Sequence, residues 1–446
     1  MKRSRPATAA RARTLLACLC ALALGLGASA AAGDVLEARL VHATTLSNGL
    51  RVVVCEDEAA PVVSIEIVVR AGSADESPEE GGIAHLLEHI CWMGDQQYDP
   101  RAAIEDLGGS TNAGTLRDFT RYYATVQPSD FGRALRALAD MVLKERYDEG
   151  VISRERAMVQ EEAASRMDRP RAALNDLAFE TLFGASHPYG RHLEGSEQSL
   201  SGITGSRLAL FHRTWYVPNN MAVIIAGRIA FDPAVKAVES IFGNLSPEAL
   251  PQRAEAVAGP ADRRERVSET TLQDICLMAA FLAPGISDPA VVAASDVAAT
   301  ILTHPQVGRL AKALQEKQNA AKGIGVDYLT QRRQGLFGVW AVCEPDKVEA
   351  VKEGIRAELA RLASQPVPPD ELAAAKGLLA AEYAFSNETT AERVSTLGFY
   401  EAIDDYRTAS RYPSLVRSVT AADIARVAAQ YAGEPVWIVM KPGARP

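Results

Sequence analysis

Gly81-Gly82-Ile83-Ala84-His85-Leu86-Leu87-Glu88-His89 is the stretch on which the reading of this chain turns. Its apolar spacing predicts a helix running from Gly81 to Met93. On a helix, His85 and His89 stand four residues apart and share a face, and two imidazoles so placed can hold one divalent ion. Glu88 lies beside that face, where a carboxylate can accept a proton from a water activated by the ion and later return it to a leaving amine. The plainer alternative is a pair of structural histidines and a solvated glutamate on an amphipathic helix. Five residues with three fixed seldom arise by chance in a chain that holds seven histidines.

Two histidines leave the ion short of a ligand. The helical pattern over Ser153 to Met167 contains Glu155, Glu161 and Glu162. Glu155 and Glu162 are two turns apart and face the same way, whereas Glu161 points about 100° aside. Glu162 is therefore the candidate third ligand, with Glu155 supporting the site from behind. Taken alone, the segment also reads as an exposed acidic helix.

His-x-x-Glu-His is the inverted form of the zincin motif. With it, Glu155-Arg156-Ala157-Met158-Val159-Gln160-Glu161-Glu162 resembles the segment that completes the zinc site in the M16 (pitrilysin-type) metallopeptidases. The likeness is to the shorter subfamily that includes mitochondrial processing peptidase. Further matches are Gly109-Ser110-Thr111-Asn112-Ala113, Asp118, Thr120-Arg121-Tyr122-Tyr123, His187-Pro188-Tyr189-Gly190, Gly195 and Tyr216-Val217-Pro218-Asn219-Asn220-Met221, in order over most of residues 45–230. The resemblance implies an α+β protein of two homologous LuxS/MPP-like domains, each a mixed or antiparallel sheet covered by helices, enclosing a chamber. It implies one zinc ion per chain on His85, His89 and Glu162, with Glu88 as catalytic base. It also implies endopeptidase action on peptides or unfolded segments, the substrate lying extended on a sheet edge, with Asn112 helping to hold it.

The second half departs from the family. Where an arginine and a tyrosine usually bind the substrate or the developing oxyanion, this chain has Gly308-Arg309-Leu310 and, at the tyrosine position, Lys322. Losing one oxyanion donor typically costs ~2.7–4 kcal/mol. Arg309 and Lys322 are thus tentative substrate-binding residues. Three readings stay open: Lys322 substitutes for the tyrosine, a homologous subunit supplies the pair in a heterodimer (or a homodimer forms), or the chain is a weakly active or non-catalytic scaffold subunit.

Outward from the motif, strands dominate the start. Asn48-Gly49 between His42–Leu46 and Leu50–Cys55 predicts a hairpin, and Val62–Val69 predicts another strand. Helical patterns cover Ala102–Leu107 and Asp130–Lys144, and Val223–Ile229 closes the first half as a strand. Residues 246–265, rich in Pro, Ala, Gly and charge, predict a linker between a first domain at 33–245 and a second at 266–446. The second half repeats the order: strands at Leu272–Phe281, Leu336–Cys343 and Val436–Met440, and helices at Pro289–Leu302, Gly308–Lys317, Lys347–Ala363 and Asp370–Phe385.

Residues 1–32 combine Lys2, Arg3, Arg5, Arg11 and Arg13 with an apolar run, Leu15 to Leu26, and Ala28-Ser29-Ala30. This is the order of a cleaved signal peptide, which predicts a periplasmic or secreted protein with no membrane span after cleavage. Taking those five positive charges from a net charge of −9 leaves about −14. A basic nucleic-acid footprint is thereby excluded; acidity at this level favours solubility and steers basic substrates. Cys55, Cys91, Cys276 and Cys343 show no Cys-x-x-Cys pair, and their disulfide state is open. Phosphate-binding loops, dinucleotide fingerprints and Gly-x-Ser-x-Gly elbows do not occur.

Overall fold

A computed structural model describes Leu36 and residues 40–93, 98–145, 147–166, 168–253, 264–270, 272–304 and 308–443. The leader at 1–32 and residues 254–263 of the linker lie outside them. Among the described residues no helix is long and apolar enough to cross a membrane.

The first half builds a six-stranded sheet from β1 (Val41–Thr45), β2 (Arg51–Glu56), β3 (Val63–Val69), β4 (Ser110–Thr115), β5 (Thr120–Val126) and β6 (Met221–Gly227). Their spatial order is β1-β2-β6-β3-β5-β4. The second half builds a five-stranded sheet from β7 (Glu265–Thr270), β8 (Ile275–Ala283), β9 (Gly323–Leu329), β10 (Gly335–Cys343) and β11 (Val436–Pro442), in the order β7-β11-β8-β10-β9. Setting β1 aside, both sheets follow one plan: in chain order, first-fifth-second-fourth-third. The first and fifth strands are parallel and all other pairs antiparallel. The duplication suggested by the order of elements is thus explicit in the topology.

Helices α1 (Ile83–Met93), α2 (Pro100–Glu105), α3 (Phe131–Leu143), α4 (Glu149–Arg166), α5 (Pro170–Phe183), α6 (Glu197–Ser201), α7 (Gly205–Trp215) and α8 (Phe231–Phe242) belong to the first half. The second holds α9 (Pro289–Thr303), α10 (Val348–Ser364), α11 (Pro369–Phe385), α12 (Thr390–Ile403), α13 (Arg407–Ser418) and α14 (Ala421–Gln430). The helix expected at Gly308–Lys317 is present, but over Ala311–Lys317 it is wound as a π-helix, with Gln318 N–H reaching back to the Ala313 carbonyl. The hairpin forms as read. Its Asn48 also reaches across the fold, donating to the carbonyls of Phe242 at 2.7 Å and Leu245 at 3.1 Å. Gly49 has φ of +88°, and a Cβ there would meet Asn219 Cβ at 2.8 Å, so glycine is required on both counts.

Each half lends a helix to the other. Helix α12 lies on β3 and β6 of the first sheet, burying Val394 and Leu397 with Val68, Ala222 and Ile224. Reciprocally, α5 lies on β8, β10 and β11, burying Leu174, Ala178 and Phe179 with Met278, Ile438 and Met440. The opposite face of the first sheet is covered by its own α1, α3, α7 and α8. Both faces being covered, every residue of β3 is buried, the pattern of a strand that cannot alternate apolar with polar. Polar ties cross the same boundary: Ser64 to Thr390 at 2.7 Å, Arg393 to Asp57 at 2.5 Å, Arg70 to Glu401, and Arg171 to Asp327.

The four cysteines among the described residues are free and buried. Cys55 and Cys91 pack in separate cores on opposite faces of the first sheet, and Cys276 and Cys343 on opposite faces of the second, so neither pair can approach within bridging distance.

Candidate metal centre

Helix α1 is anchored at its start before it carries any chemistry. The buried Glu76 carboxylate accepts the backbone N–H groups of Gly82 and Ala84, both at 3.0 Å, filling the role of a cap at the positive end of the helix. Gly82 has φ of +91°, and a Cβ there would come within 2.5 Å of the Glu194 carbonyl oxygen. Burial pushes the Glu76 carboxyl up to about 8, against the pull of its two backbone bonds.

From this helix His85 and His89 turn their rings together, with centroids 4.8 Å apart and planes 89° to one another. Glu162 reaches them from α4: its Oε2 is 3.6 Å from His85 Nε2 and 3.6 Å from His89 Nε2. One ligand atom from each of the three residues lies within 4.8 Å of the other two. Ligands held tetrahedrally at zinc distances stand roughly 3.3–3.4 Å from one another, so the spacing suits an ion at their centre better than direct hydrogen bonds. The donor set, two imidazoles and a carboxylate, is one that zinc accepts. Glu161 is exposed on α4 and takes no part.

Glu155 is buried on the same face of α4, one side of its carboxylate 3.4 Å from His89 Nδ1. A carboxylate there keeps the proton on Nδ1 and turns the Nε2 lone pair toward the ligand cluster. Burial, helped by neighbouring His89 and Arg166, lowers His85 to about 3 and keeps its imidazole neutral. His85 Nδ1 is buried without a hydrogen-bond partner among the described residues.

Glu88 is 9% exposed, and its Oε2 accepts the Thr115 hydroxyl at 2.8 Å. Burial raises its carboxyl above the usual range; Thr115 and His89 pull it down, and Glu162 pushes it up. Thr115 ends β4, the outermost strand, which among the described residues pairs only with β5. The turn after it carries Arg117, which stacks on Phe179 at 3.7 Å and pairs at 3.6 Å with Asp176 of α5. Asp176 also binds Arg166 at the end of α4, so one buried network fixes the helix bearing Glu162 against the strand bearing Thr115. Glu76, Thr115 and Asp176 carry no signal in local spacing. Their roles exist only once distant segments meet.

A family model described as Insulinase (Peptidase family M16) matches residues 51–197, and one described as Peptidase M16 inactive domain matches residues 202–379. An uncharacterized zinc protease of Mycobacterium leprae is 32% identical over 364 residues, covering 80% of this chain and 81% of that protein. The chain belongs to peptidase family M16. A protein of Arabidopsis thaliana named "Probable mitochondrial-processing peptidase subunit beta" is 30% identical over 353 residues, covering 74% of this chain and 64% of its own length, in keeping with a short member of the family. A Helicobacter pylori protease of known structure superposes with a TM-score of 0.82 at 22% identity, over 90% of this chain and 99% of its own, and shares the two-domain fold.

Against this M16 frame the tentative substrate residues divide. Asn112 is exposed on β4, with its Oδ1 accepting only the adjacent Ala113 N–H at 2.9 Å. Arg309 is held bidentately by Glu371 at 2.8 and 2.7 Å, and Lys322 by Asp274 at 2.7 Å. Among the described residues no hydrogen bond or ion pair joins Arg309 or Lys322 to His85, Glu88, His89 or Glu162. His187 and His192 serve their loop, accepting the Tyr189 N–H and pairing with Glu180.

Proposed function

We propose that this M16 protein is a zinc-dependent endopeptidase that cuts peptides or unfolded polypeptide segments. The observation that carries this reading is the convergence of His85, His89 and Glu162 on one point, with the Glu88 carboxylate beside it. His85, His89 and Glu162 would hold one ion per chain. When bound, zinc supplies Lewis acidity at this point, polarising a carbonyl and easing deprotonation of water.

The protein groups do the rest. Glu88 accepts the proton of the attacking water and returns it to the departing amine. Thr115 fixes one oxygen of that carboxylate, so its orientation is set before substrate arrives. The free edge of β4 offers backbone N–H and C=O groups to an extended peptide, and Asn112 stands on that edge. Pairing along that edge requires an extended backbone, which favours unfolded segments over folded ones.

The leader pattern supports export to the periplasm or medium. The commitment of Arg309 and Lys322 to ion pairs within their own half supports a homologous subunit, a second copy included, as the source of oxyanion donors. The test is metal analysis together with cleavage of a quenched peptide library, on wild type and Glu88→Gln, alone and mixed with a homologous subunit. One zinc per chain in both proteins and a fall in cleavage of about 10²–10⁴-fold in the variant are expected. Wild type without zinc, or a Glu88→Gln protein as active as wild type, refutes the assignment.

A further inference from the structure

A cavity of about 470 Å³ lies between the turn after β4 and helices α9, α11, α12 and α13. Its walls are mainly aromatic and apolar, with Tyr328, Tyr383, Phe399, Tyr400 and Tyr412 beside Leu116 from the first half; Thr330, Gln331 and Ser386 add neutral polar groups. Two carboxylates face it, Asp296 and Glu382, and its lining holds no lysine, arginine or histidine. Asp296 accepts the Tyr412 hydroxyl at 2.6 Å and is paired with no cation among the described residues. Glu382, at the rim, is 58% exposed in its side chain and lies 3.6 Å from His304.

The cavity reaches the turn that follows the strand end holding Glu88. Leu116 lines it, and the preceding Thr115 holds Glu88. A peptide laid along the free edge of β4 alternates its side chains between the two faces of the sheet. One set points, as Thr115 does, toward α1, and the other points, as Leu116 does, toward the second half. By topology α9, which carries Asp296, is the counterpart of α1: each is the first helix after the second strand of the shared plan.

Resting on the peptidase reading, we propose that this cavity is a specificity pocket for one lysine or arginine side chain of the substrate, whose charge is received by Asp296. An aliphatic stem packs between the tyrosines, and a cationic head over aromatic faces gains further attraction. A carboxylate in an aromatic cavity without a cation is costly to keep ionised. Burial indeed raises Asp296 to about 7, and an arriving cation removes that cost. An aliphatic or aromatic guest would leave Asp296 as it stands.

The experiment uses the full chain as Glu88→Gln, loaded with zinc, and measures binding by fluorescence anisotropy. Decapeptides carry a single arginine stepped through each position, each matched by a peptide with isosteric, neutral citrulline. One register is expected to bind at least tenfold tighter with arginine, and Asp296→Asn in the same background to bring the ratio close to one. Equal affinities at every register overturn the proposal without recourse to any variant of the pocket, as does a preference that survives Asp296→Asn. Cleavage of the same peptides by wild type is read separately. Binding preference without cleavage sinks the peptidase reading and leaves the pocket standing; cleavage without preference does the reverse.

Discussion

Glu66 sits mid-strand in β3, 1% exposed, at the boundary where α12 crosses from the second half. Neither carboxylate oxygen has a hydrogen-bond partner among the described residues. Arg121 approaches only to 3.8 Å and spends its Nη1 on Ser395 Oγ at 2.5 Å. Gly398 of α12 leaves just the room required, since a Cβ there would meet Glu66 Oε1 at 2.4 Å. Burial pushes this carboxyl up to about 8, with Arg121 pulling back weakly. The folded state therefore keeps a proton that the unfolded chain releases near pH 4.5. Between those values the unfolded state binds fewer protons, so stability falls as pH rises, by up to 1.36 kcal/mol per pH unit. Over the whole window the loss is about 4 kcal/mol. Glu66→Gln keeps the shape and cannot ionise. Its stability relative to wild type should therefore climb by about 4 kcal/mol from pH 4.5 to 8.5. Urea unfolding of both proteins across that range, read as the difference in free energy, measures it. Other titrating groups and metal binding move both proteins alike and cancel. Because α5 and α12 each bridge the two sheets, the halves should unfold together and give one transition. A difference that stays constant across the range refutes the reasoning, because it would mean Glu66 titrates alike in both states.

Replacing Glu155 by Gln removes the carboxylate behind His89, and zinc affinity should drop 10–100-fold, measured by competition with a chromogenic chelator; unchanged affinity would show that His89 needs no such support. Thr115→Val deletes the hydroxyl that holds Glu88 at nearly constant volume. With a hydrogen bond to a charged group worth about 1.5–3 kcal/mol, kcat should fall roughly 10–100-fold while zinc content stays at wild-type level. Lys322→Ala should leave kcat and KM for a peptide substrate within about twofold, because the ammonium is engaged by Asp274; a loss of about 10²–10³ in kcat would instead establish it as an oxyanion donor.

The core of the candidate site was legible because its geometry is local. His85, Glu88 and His89, within five positions of one helix, need only the 3.6-residue turn to meet, and Glu155 and Glu162 share a face of a second helix by the same rule. The edge strand was not legible. Ser110–Thr115 is polar and glycine-containing because one edge is free and half its surface is wet, so it lacks the apolar alternation that marks a strand. The exchange of α5 and α12 was hidden for another reason. Buried residues on α5 occur around most of its circumference, which a one-faced amphipathic pattern cannot reveal, and nothing local says which sheet it will cover.

That exchange also ties the second half to the candidate site. Every proposed ligand and the base come from residues 85–162, yet the strand end that orients the base is held from the other side. Asp118, three residues past Thr115, accepts the backbone N–H of Arg332 at 2.8 Å, and Phe119 meets Phe399 edge-on at 6.3 Å. Arg117 in the same turn fixes α5, whose outer face is buried in the second sheet. Removing the second half would therefore leave the ligand helix intact in sequence but free the turn that aims Glu88. Arg332, within the region matched as an inactive domain, thus helps to hold the turn that follows Thr115.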